Sequence, residues 1–170
     1  MTDEEFVASF ENATLNNLTF HHADHVRMAF LYLRRYPVLE ALERFSASLL
    51  KFAAANGKPT LYHETITWAF LLLIRERMAR AGGDQSWADF ANGNPDLLNW
   101  KDNILKKYYR PETLASDLAR NTFLLPDKAI SDIEPRPQGS GVISALEAGK
   151  KCKWNAYRLA FAWKSASSRS

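Results

Sequence analysis

"VLEALERFSASLLKFAAA" (Val38–Ala55) steps its apolar residues by four and three, through Val38, Leu42, Phe45, Leu49 and Phe52. That spacing lines one face of an α-helix and does not fit the alternation of a strand. Pro37, just before it, suits the end of one helix or the first position of the next. Asn56-Gly57 supplies a helix stop, and Lys58-Pro59-Thr60 a new start.

The same period continues on both sides. Ala23–Tyr36 carries Val26, Ala29, Phe30 and Leu33, and Leu61–Ala81 carries Ile66, Phe70, Leu73 and Ile74 before Gly82-Gly83 ends it. Asp3–Phe10 reads as a short leading helix and Ser86–Ala91 as another. Asn94-Pro95 reads as a cap with proline at the first helical position, opening a helix through Leu97, Leu98, Ile104 and Leu105 to about Tyr109. Pro111 breaks that run, and a last short helix covers Glu112–Ala119. The expected fold is an all-α, up-and-down helical bundle with a basic C-terminal extension. Residues 1–126 form the bundle, and residues 127–170 a linker and basic amphipathic tail. The boundary lies in "PDKAISDIEPRPQGSG" (Pro126–Gly141), with its three prolines and two glycines. Beyond it, Val142–Trp163 has an irregular apolar face with Trp154, Tyr157, Phe161 and Trp163. It reads first as an appendage, and second as a helix for a partner or membrane surface.

Composition bounds the function. Apolar residues make up 46% of the 170-residue chain, the balance of a packed domain. A single cysteine, Cys152, excludes a disulfide within the chain and fits a reducing compartment. "MTDEEFVASF" lacks the basic-then-apolar order of a signal peptide. The longest apolar run, Trp68–Ile74, is too short to span a bilayer. These features give a cytoplasmic expectation with no membrane partner. The chain is +3, but residues 140–170 hold six basic side chains and one acid, Glu147, so the body is slightly acidic. A nucleic-acid partner would rest on the tail alone.

"FHHADHVRM" (Phe20–Met28) holds three of the four histidines, His21, His22 and His25; the fourth is His63 in "YHETITW" (Tyr62–Trp68). On a helix, His22 continues the core stripe of Val26, Ala29 and Leu33, with His25 on its flank and His21 further out. His63 continues the stripe of Phe70 and Ile74. Short connections make successive helices antiparallel, so the first and third core helices are parallel. Both histidine groups then sit at the same end of the bundle. Neutral imidazole is the commonest protein metal ligand, and a set of histidines with a carboxylate suits zinc or iron(II). The predicted metal ligands are His21, His22, His25 and His63. Asp24 and Glu64 are the nearest carboxylates, as ligand, orienting acceptor or catalytic base. A metal-free acid–base or anion site and a structural polar network are the competing readings. Tyr32, Tyr36, Tyr62 and Trp68 read as core, with pocket lining as their second role. Arg27, Arg34 and Arg35 read as a solvated face. There is no phosphate-binding glycine loop, no G-x-S-x-G elbow and no C-x-x-C pair. His63-Glu64 lacks the second histidine of H-E-x-x-H, since position 67 is Thr67.

Over Phe10–Pro126 the sequence resembles an uncharacterised family of small all-helical bacterial proteins. Phe20-His21-His22, Asp24-His25 and Tyr62-His63-Glu64-Thr65 carry the resemblance. It implies that these are the family's motifs and brings no assigned activity. The functional expectation is a small metal-binding helical protein, of oxygenase or hydrolase type, acting on a small molecule. The alternatives are a metal-free small-molecule binding module and a helical interaction protein using its basic tail. A homo-oligomer is compatible with all three.

Overall fold

The computed structural model describes residues 1–82 and 84–128. The tail, including the helix expected over Val142–Trp163, lies outside the described residues. The helices are α1 (Asp3–Glu11), α2 (His22–Arg35), α3 (Val38–Ala55), α4 (Glu64–Arg80), α5 (Trp87–Gly93), α6 (Pro95–Leu98), α7 (Pro111–Ala115) and α8 (Asp117–Asn121). Single 3₁₀ turns occur at Pro59–Leu61 and Ile104–Lys107, and no strand occurs among the described residues. The fold is all-α, as the periodicity predicts. No helix among the described residues is long and apolar enough to cross a membrane.

α2, α3 and α4 pack against one another pairwise, with α1 across α2 and α3, α6 on α2 and α8 on α4. Two residues, Tyr36 and Pro37, join α2 to α3 and force a reversal. The reversal into α4 is built at the end of α3. Gly57, at φ +69°, follows the C-cap Asn56. The Gly57 N–H bonds to the Ala54 carbonyl at 3.0 Å and the Lys58 N–H to the Ala53 carbonyl at 2.9 Å. This pairing closes the helix and needs a left-handed residue, which glycine adopts without a Cβ clash. It also fixes Lys58 at the end of α3.

α2 is more central than its single apolar stripe implies. Met28, Phe30, Leu31 and Tyr32 are buried along with Val26, Ala29 and Leu33. Layers on several sides cover it, so the buried surface extends round the helix. Tyr32 belongs to this core, its hydroxyl donating to Glu11 Oε1 and lying 3.0 Å from Ser48 Oγ. Phe10 stacks on Phe20 and Phe45 at centroid distances of 5.5 and 6.0 Å and packs tilted against Phe52 at 5.4 Å. That cluster ties α1 and the segment before α2 to α3.

Two predicted helices are interrupted. The run expected from Asn94 to Tyr109 is helical only over Pro95–Leu98, followed by the 3₁₀ turn at Ile104. The Asn99 side chain accepts from the Asp102 N–H at 3.0 Å, and Asn103 from the Leu105 N–H at 2.9 Å. Such local bonds offer the backbone an alternative to the helical ladder. The last predicted helix splits at Ser116, which is extended and caps α8 through the Ala119 N–H at 3.1 Å. Asp127 and Lys128, assigned to the linker by composition, are bound to the body. Both their N–H groups donate to the Tyr108 carbonyl at 3.1 Å. The Asp127 carboxylate accepts from the Arg110 N–H and the Thr113 hydroxyl.

Candidate functional site: a histidine-lined cavity

α2, α3 and α4 leave a cavity of about 350 Å³ between them. Its walls are mostly apolar: Val26 and Ala29 from α2, Phe45, Leu49 and Phe52 from α3, and Ile66, Phe70 and Ile74 from α4. His22, His25 and His63 line it together. The N-terminal turns of α2 and α4 therefore face one space, as two successive reversals require. His21 does not line it, and neither does Asp24 or Glu64.

Helix starts decide where each histidine goes. His21 is the N-cap of α2 and is exposed. The Asp24 carboxylate turns back to accept the His21 N–H at 2.9 Å, which satisfies one free donor of the first turn. His22 begins the helix. Its Nε2 donates to the Leu97 carbonyl at 2.9 Å, and its ring packs on Phe70 and on Trp100, at 4.9 and 5.0 Å between centroids. His25, one turn on, sits edge-on to Phe20 at 4.4 Å. Among the described residues its side chain has no hydrogen-bond partner, and the residue lines the cavity. His63 is the N-cap of α4 and not, as the helical spacing suggests, within its first turn. Its ring is buried at 7% exposure. Nδ1 accepts the Ile66 N–H at 3.3 Å and Nε2 donates to the Leu114 carbonyl at 2.9 Å. Both bonds together place the hydrogen on Nε2 and occupy both nitrogens.

Burial pushes the His22 value below the ordinary 6.5, against a smaller upward pull from the Leu97 carbonyl. Burial likewise pushes His25 down to about 4, with the nearby His22 adding to the shift and Asp24 opposing it. Both rings are neutral at neutral pH and present one donor and one acceptor each. Burial and the Glu64 carboxylate push the Tyr62 hydroxyl up to about 12; it donates to Glu64 Oε2 at 2.5 Å. Glu64 is thus engaged with Tyr62 and not with a histidine.

As a metal-ligand set the predicted residues do not converge. Among the described residues no three His, Cys, Asp or Glu side chains are placed to hold one ion. His63 has no free lone pair for one. The remaining pair is His22, whose Nδ1 is free, and His25. Of the four aromatics given a lining role, Tyr62 lines the cavity and Tyr32, Tyr36 and Trp68 do not. The residues that sequence reasoning missed are Asn17, Asn56, Lys58 and Trp100. Asn56 and Lys58 were legible in part, since the reversal at Gly57 lies at the histidine end. Trp100 was not, because it reaches His22 from a loop more than seventy residues on. Comparison with known family models, curated proteins and solved structures finds no match.

Proposed function

We propose that the body is a binding module for a small, largely apolar molecule whose polar end meets neutral imidazoles. The observation that carries this reading is the shared cavity, in which His22 and His25 line a mostly apolar space. Ligand sites characteristically combine a concave apolar wall with a few convergent polar groups, at volumes from about 300 Å³ upward. A neutral probe, N-phenylnaphthylamine, should bind saturably with a rise in its fluorescence. Ala53→Trp, which places an indole in the cavity from its half-buried edge, should abolish that rise while circular dichroism and the melt stay those of a folded helical protein. Absence of saturable binding to the native protein would sink the proposal.

A metalloprotein is the second reading, with zinc or iron(II) on His22 and His25 and oxygenase or hydrolase chemistry to follow. It is favoured by the His22 Nε2–H bond to Leu97, the arrangement that orients a ligating imidazole, and by the unpaired His25. A stoichiometric metal in untagged protein, lost in His25→Ala, would install this reading in place of the first. Asp24 or Glu64 would then have to leave its present partner to act as ligand or base.

A further inference from the structure

The lining residues are ordered by depth. Most of the polar ones come from one end: His22 and His25 at the start of α2, Asn56 and Lys58 at the end of α3, His63 at the start of α4, and Asn17 from the preceding loop, with Thr67 one turn further along α4. Most of the apolar ones come from the turns further in; Leu61 sits at the polar end, in the 3₁₀ turn after Lys58. From His63 to Ile74 the cavity follows α4 for eleven residues, about 16 Å at the helical rise. A cavity of about 350 Å³ is roughly twice the ~150 Å³ apolar cavity that takes up benzene. It has room for a hydrocarbon chain lying along the helices.

The polar end also has a sign. No carboxylate lines the cavity, whereas Lys58 does. Among the described residues Lys58 forms no ion pair; each close pair involves another cation. The N-termini of α2 and α4 open at the same end, and each carries partial positive charge. Asp24 and Glu64 share those turns, but they accept from the His21 N–H and the Tyr62 hydroxyl, outside the cavity. His25, half-buried and without a side-chain partner among the described residues, lines the same space. An ammonium group would meet a like charge here, and a carboxylate an opposite one.

We propose that the ligand is an amphiphilic monocarboxylate, with its carboxylate at Lys58 beside the imidazoles and its hydrocarbon end between α2, α3 and α4. This assignment rests on the binding reading above and adds the charge and orientation of the ligand. The probes are decanoate, decanol and decylamine, titrated calorimetrically into the full chain at pH 7.5. Decanoate binds most tightly and decylamine least. Lys58→Met keeps the apolar stem and the backbone turn, and it weakens decanoate about tenfold, as loss of one charge-assisted bond at an exposed site predicts. Decanol binding is unchanged by it, and Lys58→Arg restores decanoate. Equal binding of all three probes, or a Lys58→Met protein that holds decanoate undiminished, overturns the charge assignment and leaves the cavity reading standing. Failure of all three probes while N-phenylnaphthylamine binds overturns the ligand class. Failure of all four overturns the binding reading itself.

Discussion

At the scale of single residues, His25 carries the clearest consequence. Its value is about 4 in the folded state against an ordinary 6.5. The unfolded chain takes up a proton that the folded state resists, so stability falls as the pH drops through 6.5 and levels off below about 4. Between pH 7 and pH 5 this amounts to about 2 kcal/mol. His22 shifts in the same direction and steepens the loss. His25→Leu should lose less stability than the native protein over that interval, as read by urea melts at both pH values. Equal losses in the two proteins would show that His25 is readily protonated in the fold. The neutrality of these rings was not legible in the sequence. It depends on how deeply Phe20, Phe70 and Trp100 bury them, and those residues come from separate segments.

At the scale of elements, His63 holds the start of α4. One nitrogen caps the helix and the other ties it to α7 through the Leu114 carbonyl. His63→Ala removes the cap and leaves a half-buried carbonyl unpaired, at a cost of roughly 2–4 kcal/mol. His63→Asn can restore a cap and should recover about 1 kcal/mol of it. Thermal melts of the two variants check the order; an alanine variant as stable as the native protein would mean that neither bond matters. The helix periods were legible for α2, α3 and α4, because each buries a long apolar face. The short elements after Asn94 were not. Asn99, Asn103 and Ser116 compete locally for backbone donors, and the periodicity of Leu97, Leu98, Ile104 and Leu105 carries no sign of that competition.

At the scale of the molecule, the last described residues, Asp127 and Lys128, are tied to the Tyr108 carbonyl. Truncation after Lys128 keeps the Asp127 and Lys128 bonds and should leave a cooperative melt and intact probe binding. Truncation after Leu125 removes the Asp127 carboxylate from Arg110 and Thr113, and should lower the midpoint by several degrees. An insoluble or non-cooperative 128-residue body would show that the tail completes the core. A longer body that melts no higher than the shorter would show that the Asp127 ties contribute nothing.

The sequence by itself determined the helical class, the three long helices and the end of the bundle at which the histidines gather. Those follow from hydrophobic period, turn residues and the count of chain reversals, all of which are local. Tertiary structure decided what the histidines do. His21 stands at the N-cap position of α2, the His63 ring caps α4 and reaches Leu114, and His22 reaches Leu97. Among the described residues, His22 and His25 line a cavity walled by three helices and keep ring nitrogens without a hydrogen-bond partner. A ring nitrogen takes whichever partner lies within about 3 Å, and which carbonyl comes that close depends on the short helices α6 and α7, 75 and 51 residues away. Periodicity cannot encode such a contact, so the placing of His22, His25 and His63 along one cavity was readable while their division of labour was not.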